Sequence, residues 1–297
     1  MDDKDIHTSR ILAATRLAFS SHSRAWAGNR YVYPVVSRRS GGLSIGINLN
    51  PDKVCNFDCI YCSVDRSVPG QTGRVTTAVV RTELRQMLAL AASGEIFRLP
   101  DFASIRPELM RLNDIAFSGD GEPTTCPAFG QCCRIAAQEL QRAGLSGVKL
   151  VLITNATMFG RRSVRVALEY LDQHGGEIWA KLDAGTAAYY QLVDRPGVGF
   201  AQILANITWC AQVRPTVIQT LLMRIHDQPP PPEEIRAYAQ RLADIIAAGG
   251  RIKLVQLYTV ARKTAENYVA LLSPLEMTAI SEIVKPRLPG VPLECFW

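Results

Sequence analysis

Cys55-Asn56-Phe57-Asp58-Cys59-Ile60-Tyr61-Cys62 places three thiols within eight residues. At spacings of four and three they can converge on one compact soft-metal site. Zinc usually takes four ligands in two separated pairs, and no second pair follows at finger spacing. Three thiolates suit a [4Fe–4S] cube with one iron left open to an outside ligand. A structural zinc or a chance cluster of thiols is the plainer alternative. The other cysteines are Cys126, Cys132, Cys133, Cys210 and Cys295. The chain is long and shows no secretory signal, so free thiols in a reducing, cytoplasmic compartment are expected rather than disulfides.

Other residues carry chemistry at expected strand ends. Ser118-Gly119-Asp120-Gly121-Glu122-Pro123 is a glycine-rich turn whose backbone can approach a ligand closely. Asn155 closes the run Leu150–Thr154, where a short amide can bond a ribose hydroxyl or a carboxylate, or form an Asx turn. Lys181 and Asp183 lie two apart and share one strand face, as ligand contacts or as a structural ion pair. Gln219, Gln256 and Tyr258 are polar residues within apolar runs and line a chamber or a sheet edge, with Arg262 just beyond as an anion contact. Cys126, Cys132, Cys133 and Cys210 are a second cluster or small core residues; helical cysteines are more often the latter.

The 297 residues, 47% hydrophobic and 20% charged with a formal charge of +6, exclude a disordered, collagenous or coiled-coil chain. No apolar run approaches the roughly 18 residues of a spanning helix, so a soluble protein without a membrane partner is expected. Strands are expected at Leu43–Leu49, Asp114–Phe117, Val148–Thr154, Ile178–Leu182, Thr216–Met223 and Ile252–Val260. Helices are expected near Arg81–Ala92, Pro127–Ala143, Arg161–His174, Phe200–Val213 and Pro232–Ala248. Gly144, Gly175 and Gly249 supply C-caps, and Ser273 with Glu276 a capping box for one more helix. The fold class is α/β: strands alternating with helices predict a parallel sheet, a partial (β/α)6 barrel over residues 43–262. The triplet then follows the first strand, on the rim where barrel enzymes keep their chemistry. Residues 1–42 read as a basic N-terminal arm, because residues 6–50 hold six arginines and no acid. Residues 263–297 read as a short C-terminal helical extension.

The C-x3-C-x2-C spacing with an aromatic before the last cysteine resembles the signature of radical S-adenosylmethionine (SAM) enzymes. The likeness runs from about Arg30 to Arg262. It implies a radical SAM barrel in which Cys55, Cys59 and Cys62 ligate the cluster and SAM chelates the open iron. One electron from the cluster then breaks a carbon–sulfur bond to give a 5′-deoxyadenosyl radical. Tyr61 would stand beside the adenine. The Gly119-Asp120-Gly121-Glu122 stretch resembles the family's Gly-Gly-Glu-Pro turn that holds the SAM amino group, with Asp120 in place of the first Gly. Asn155, Lys181 and Asp183 would contact the SAM carboxylate and ribose.

Ile45–Asn50, Phe117–Thr124 and Leu152–Asn155 are most similar to the branch containing the tRNA wyosine-base synthases and uncharacterised bacterial relatives. That likeness implies hydrogen abstraction from a nucleotide or tRNA base, with flavodoxin or ferredoxin as electron donor. The first cysteine here is Cys55, so the second cluster those synthases build from upstream cysteines is not expected. Radical modification of a peptide or partner protein, and a non-enzymatic iron–sulfur electron carrier, are the alternatives.

Overall fold

A computed structural model describes residues 26–103 and 105–297. The first 25 residues of the expected arm lie outside the described residues. Of the remainder of that segment, Val32–Ser37 and Gly42 belong to the sheet. β1 (Val32–Ser37) and β2 (Gly42–Ile47) form an antiparallel hairpin with Val32 opposite Ile47 and Ser37 opposite Gly42.

From β2 the chain alternates as expected, through α1 (Thr77–Ser93), β3 (Leu112–Phe117), α2 (Phe129–Arg142), β4 (Lys149–Thr154), α3 (Arg162–Asp172) and β5 (Gly176–Lys181). Then come α4 (Ala187–Asp194), α5 (Phe200–Val213), β6 (Thr216–Leu222), the two-residue β7 (Arg224–Ile225), α6 (Pro232–Ala247) and β8 (Ile252–Thr259). The two-residue β9 (Val269–Ala270), α7 (Pro274–Val284) and β10 (Leu293–Phe296) complete it.

The main sheet has eight strands in the order β1-β2-β3-β4-β5-β6-β8-β10, curled into a half-barrel, and every pairing except β1 with β2 is parallel. The six expected strands are its centre, and two more extend its edges. β1 comes from the expected arm, and β10 makes the C-terminal segment more than helical. Both are short edge strands whose only sheet neighbour lies on one side, so their sequence alternation is weak. β7 and β9 form a separate antiparallel ribbon.

Side-chain parity explains the layers, since successive residues of a strand face opposite ways. Ile115 and Phe117, Leu150 and Leu152, Ile178 and Ala180, and Val255 and Leu257 face the helices in the large core. Ala116, Val151, Trp179 and Val217 face the barrel interior, with Ile153 and Leu254 against them. Ser44, Asp114, Lys181, Gln219, Gln256 and Tyr258 share that inner parity, which places polar groups inside. One end of the barrel is tied shut by Glu177, which pairs with Lys149 at 2.8 Å and Lys253 at 2.6 Å and accepts the Trp179 indole N–H at 3.2 Å.

Local signals hold at the helix ends. Gly144, Gly175 and Gly249 have φ of 67°, 71° and 86° just past α2, α3 and α6, where only a residue without Cβ is unstrained. Ser273 and Glu276 form the complete capping box of α7. The unexpected helix is α4, capped by Thr186, whose hydroxyl accepts the Tyr189 N–H. No helix among the described residues is long and apolar enough to cross a membrane.

Candidate active site

The triplet sits in the connection between β2 and α1, on residues 48–76. Neighbours hold this stretch in place. The Asp58 and Ile60 N–H groups donate to the Asp194 and Val193 carbonyls at the end of α4, at 3.2 and 3.0 Å. Cys62 N–H closes a turn onto the Cys59 carbonyl at 3.0 Å. Lys53 Nζ crosses the base of the loop to the carbonyls of Asp65 and Val68, at 2.6 and 2.8 Å.

Cys55, Cys59, Cys62 and Tyr61 line one cavity of about 260 Å³ at the C-terminal ends of the parallel strands. Gly119, Asp120, Gly121 and Glu122 line it from the end of β3, Asn155 from β4 and Lys181 from β5. Asp183 does not line it. It lies directly behind, where its carboxylate accepts the Tyr61 hydroxyl and pairs with Lys181 at 3.0 Å.

Lys181, Tyr61, Asp183, Asp194 and Cys59 form one buried network. Lys181 Nζ donates to the Tyr61 hydroxyl at 2.6 Å and stands 4.4 Å from that ring's centroid. Asp194 accepts from Tyr61 at 3.2 Å and from the Cys59 thiol at 3.5 Å. Asp183 also accepts the Leu221 N–H at 2.7 Å, which ties β5 to β6. Burial raises the Asp194 carboxyl, and Asp183 beside it raises it further. Burial alone would lower the Lys181 ammonium, but Asp183 and its other neighbours outweigh it and keep it above the usual lysine value. Burial pushes the Cys59 thiol well up, helped by Asp194, and raises Cys55 too. Ligation of a metal would therefore displace protons from these sulfurs.

The glycine turn is held by side chains from the triplet's own loop. Asn48 Oδ1 accepts the Asp120 N–H at 3.1 Å, and its amide donates to the Asp120 carboxylate at 2.6 Å. Glu122 is 3% exposed and spends its oxygens inward. They accept from the Thr124 hydroxyl and N–H, the Thr154 hydroxyl at 2.7 Å and the Asn155 N–H at 2.7 Å. Its carboxyl is raised by burial against the pull of these donors. Glu122 thus locks β3 to β4 beneath the cavity. Asn155 donates to Asn56 Oδ1 at 2.8 Å and accepts the Thr157 N–H at 3.1 Å, so the Asx turn is formed and the loop between Cys55 and Cys59 is tethered to β4.

Gln219 and Gln256 are fully buried and bond each other at 2.8 Å, while Tyr258 and Arg262 line the cavity. Cys132, Cys133 and Cys210 belong to the outer core, as small hydrophobes. Sequence reasoning missed Asp194, Ser44, Asp114, Trp179 and Arg39. Ser44 donates to Asp114 at 2.5 Å in the barrel interior. Burial pushes the Asp114 carboxyl up, against Ser44, Lys149 and Arg39. Inner-face parity was the signal available for Ser44, Asp114 and Trp179, and the acid-free run of six arginines was the signal for Arg39; Asp194 lies on a helix end and gave none.

The donor set fits an iron–sulfur cube. Among the described residues no three His, Cys, Asp or Glu side chains stand close enough to hold a single metal ion. A cube takes each thiolate on a different iron and requires no such convergence. Three soft donors share one wall of the cavity, with Phe57, Tyr61 and Val64 as apolar surroundings.

No family model matches the chain. GTPase Obg of Brachyspira hyodysenteriae is 24% identical over 258 residues, 82% of this chain and 32% of that protein. A UPF0026 protein of Helicobacter pylori is 27% identical over 164 residues, 55% of this chain and 45% of that protein. The chain thus matches less than half the length of these curated relatives. The structure of Streptococcus suis SuiB bound to S-adenosylmethionine superposes with a TM-score of 0.53 at 12% identity, over 87% of this chain and 49% of SuiB. The chain therefore shares the fold of SuiB over that span.

Proposed function

We propose that this chain is a radical SAM enzyme. Cys55, Cys59 and Cys62 would hold a [4Fe–4S] cluster, and the remainder of the cavity would hold SAM. The observation that carries this reading is the common cavity. Three thiols from one loop and the glycine turn of β3 face the same space, with Asn155 and Lys181 from the next two strands. An electron carrier has no need of such a chamber beside its cluster.

When bound, the cluster supplies one electron that breaks a carbon–sulfur bond of SAM. The chain's own residues bind and orient. Gly119 and Gly121 let backbone come close where a side chain would block it. Lys181 lines the cavity with its ammonium held by Asp183 and the Tyr61 hydroxyl, so it orients Tyr61 and lends positive charge to the wall that a carboxylate would face. Tyr61 supplies a ring face over which an adenine can lie, its hydroxyl fixed by Asp183 and Asp194. Phe57, Tyr61 and Leu221 keep water away from the reacting atoms. The electron would come from a small donor such as flavodoxin or ferredoxin, and the hydrogen from a substrate such as a nucleotide or RNA base.

Anaerobic reconstitution with iron and sulfide, reduction, and incubation with SAM tests the reading. Formation of 5′-deoxyadenosine above a Cys59→Ala control is expected. Cluster-loaded protein that yields none above that control overturns the assignment.

A further inference from the structure

A second cavity of about 60 Å³ lies between the two edges of the sheet, where the β1–β2 turn meets the ends of β8 and β10. It adjoins the larger cavity, with Ser37, Arg39, Tyr61, Leu221, Tyr258 and Arg262 among the residues that line both. Arg38 and Arg39 come from the hairpin turn and both line this space. We propose that Arg38 and Arg39 form the subsite for an oxyanion group, phosphate or carboxylate, of this chain's substrate. The proposal rests on the enzymatic reading above and supplies the substrate class that reading leaves open.

Arg39 is held in place by neutral partners. Its Nη1 donates to Gln219 Oε1 at 3.2 Å, its guanidinium lies 4.5 Å from the Tyr258 ring centroid, and its carbonyl accepts from Gln256 at 3.5 Å. One of five guanidinium donors is thereby committed and the plane is oriented, which leaves the fork geometry for an incoming oxyanion. Arg38 follows the same turn into the smaller cavity. Burial lowers its pKa, and Arg39 beside it lowers it further.

Two adjacent half-buried cations repel one another and lose hydration, so a counter-anion is the natural occupant. Among the described residues neither Arg38 nor Arg39 is ion-paired. None of the carboxylates around the larger cavity ion-pairs with either arginine: Asp114, which feels the Arg39 charge at longer range, bonds Ser44, Asp120 bonds Asn48, and Glu122 bonds Thr154 and Asn155. Size agrees with one small group. The 60 Å³ compares with the roughly 10–15 Å³ that one water needs, which leaves room for an oxyanion but not for a base or a peptide side of the substrate. The rest of the molecule would extend into the larger cavity toward Cys59 and Tyr61.

Calorimetric titration of the reconstituted protein carrying SAM, with inorganic phosphate and separately with malonate, tests this. At least one anion is expected to bind, and Arg38→Gln and Arg39→Gln each to weaken it about tenfold or more. Arg142→Gln, at the exposed end of α2, is expected to bind as wild type does. Phosphate preference identifies a phosphorylated substrate, and malonate preference a carboxylate. Because Arg39 packs on Tyr258, Arg39→Lys and circular dichroism guard against a folding defect; the lysine variant should recover part of the binding. The subsite is overturned if neither anion binds wild type, or if both arginine-to-glutamine variants bind like wild type. Measuring 5′-deoxyadenosine on the same samples separates the two ideas. Its formation without anion binding removes the subsite alone, and anion binding without it removes the enzymatic reading.

Discussion

A Cβ built on Gly121 would fall 2.1 Å from the carbonyl oxygen of Val54, the residue preceding Cys55. The glycine turn after β3 and the cysteine loop after β2 are thus in backbone contact, and the thiols' position depends on a missing methyl group. Gly119 makes a similar approach to Asn48, where a Cβ would meet Oδ1 at 2.2 Å.

Gly121→Ala should force these two backbones apart. Overpacking of this kind costs about 1–3 kcal/mol, or roughly 2–6 °C in Tm for a chain of this size. Because the displaced element carries Cys55, iron content after reconstitution should fall together with SAM affinity. Calorimetry and iron analysis check this; a variant with normal Tm and full iron would show that the contact relaxes without consequence.

Lys181→Met should destabilise the protein by about 3–5 kcal/mol, since it leaves Asp183 buried without its cation. Asp183 has a side chain only 2% exposed and holds the Leu221 N–H as well, so the loss should be felt in β5 and β6. Denaturant unfolding reads the magnitude. A double variant with Asp183→Asn should recover a large part of it, and a purely additive result would argue against coupling.

Glu83 on α1 accepts the backbone N–H groups of Arg30, Tyr31 and Val32 at 2.8, 2.8 and 3.0 Å. It secures the chain's entry into β1, and so the hairpin that carries Arg38 and Arg39. Glu83→Ala leaves buried donors unpaired and should cost about 3 kcal/mol or more, at roughly 1–3 kcal/mol each. Glu83→Gln keeps one acceptor oxygen and should cost less. Urea unfolding of the two variants orders them.

Glu139 on α2 bonds Arg85 at 2.9 Å and Arg81 at 2.8 Å on α1. The Arg85 hydrogen bond, with Arg81, holds its carboxyl below the usual carboxylate value against the opposing effect of burial. A depressed folded-state pKa gives stability that is present above the unfolded value and is lost as pH falls through the folded value. The Tm advantage of wild type over Glu139→Gln should therefore be full above about pH 5 and shrink as the solution is taken toward pH 3. With both arginines partly in solvent, about 1–2 kcal/mol is expected. Thermal melts across that range check it; a gap that widens on acidification would contradict the assignment.

Much of the architecture was legible because its signals are local. Short apolar runs marked the six central strands, and Gly144, Gly175, Gly249 and Ser273 marked helix ends, since capping depends on residues a few positions apart. β1 and β10 escaped because an edge strand pairs on one side only and its pattern is correspondingly weak. α4 escaped because a helix of two turns carries little periodicity.

The candidate site divides along the same line. Three thiols in eight residues and a glycine turn one strand later are chemistry written in the order of the chain, and no distant contact is needed to read them. Whether Asn155 turns to a ligand or to Asn56, whether Asp183 faces the cavity or stands behind Tyr61, and how Arg39 reaches Gln219 depend on residues up to 180 positions apart. Sheet closure brings those residues together, and strand parity decides which side chains meet inside. The amino-acid order by itself determined the donor set and the strands that present it. The folded chain alone decided which polar groups are consumed by one another and which are left facing the cavity, because hydrogen bonding of buried groups is settled by proximity in space.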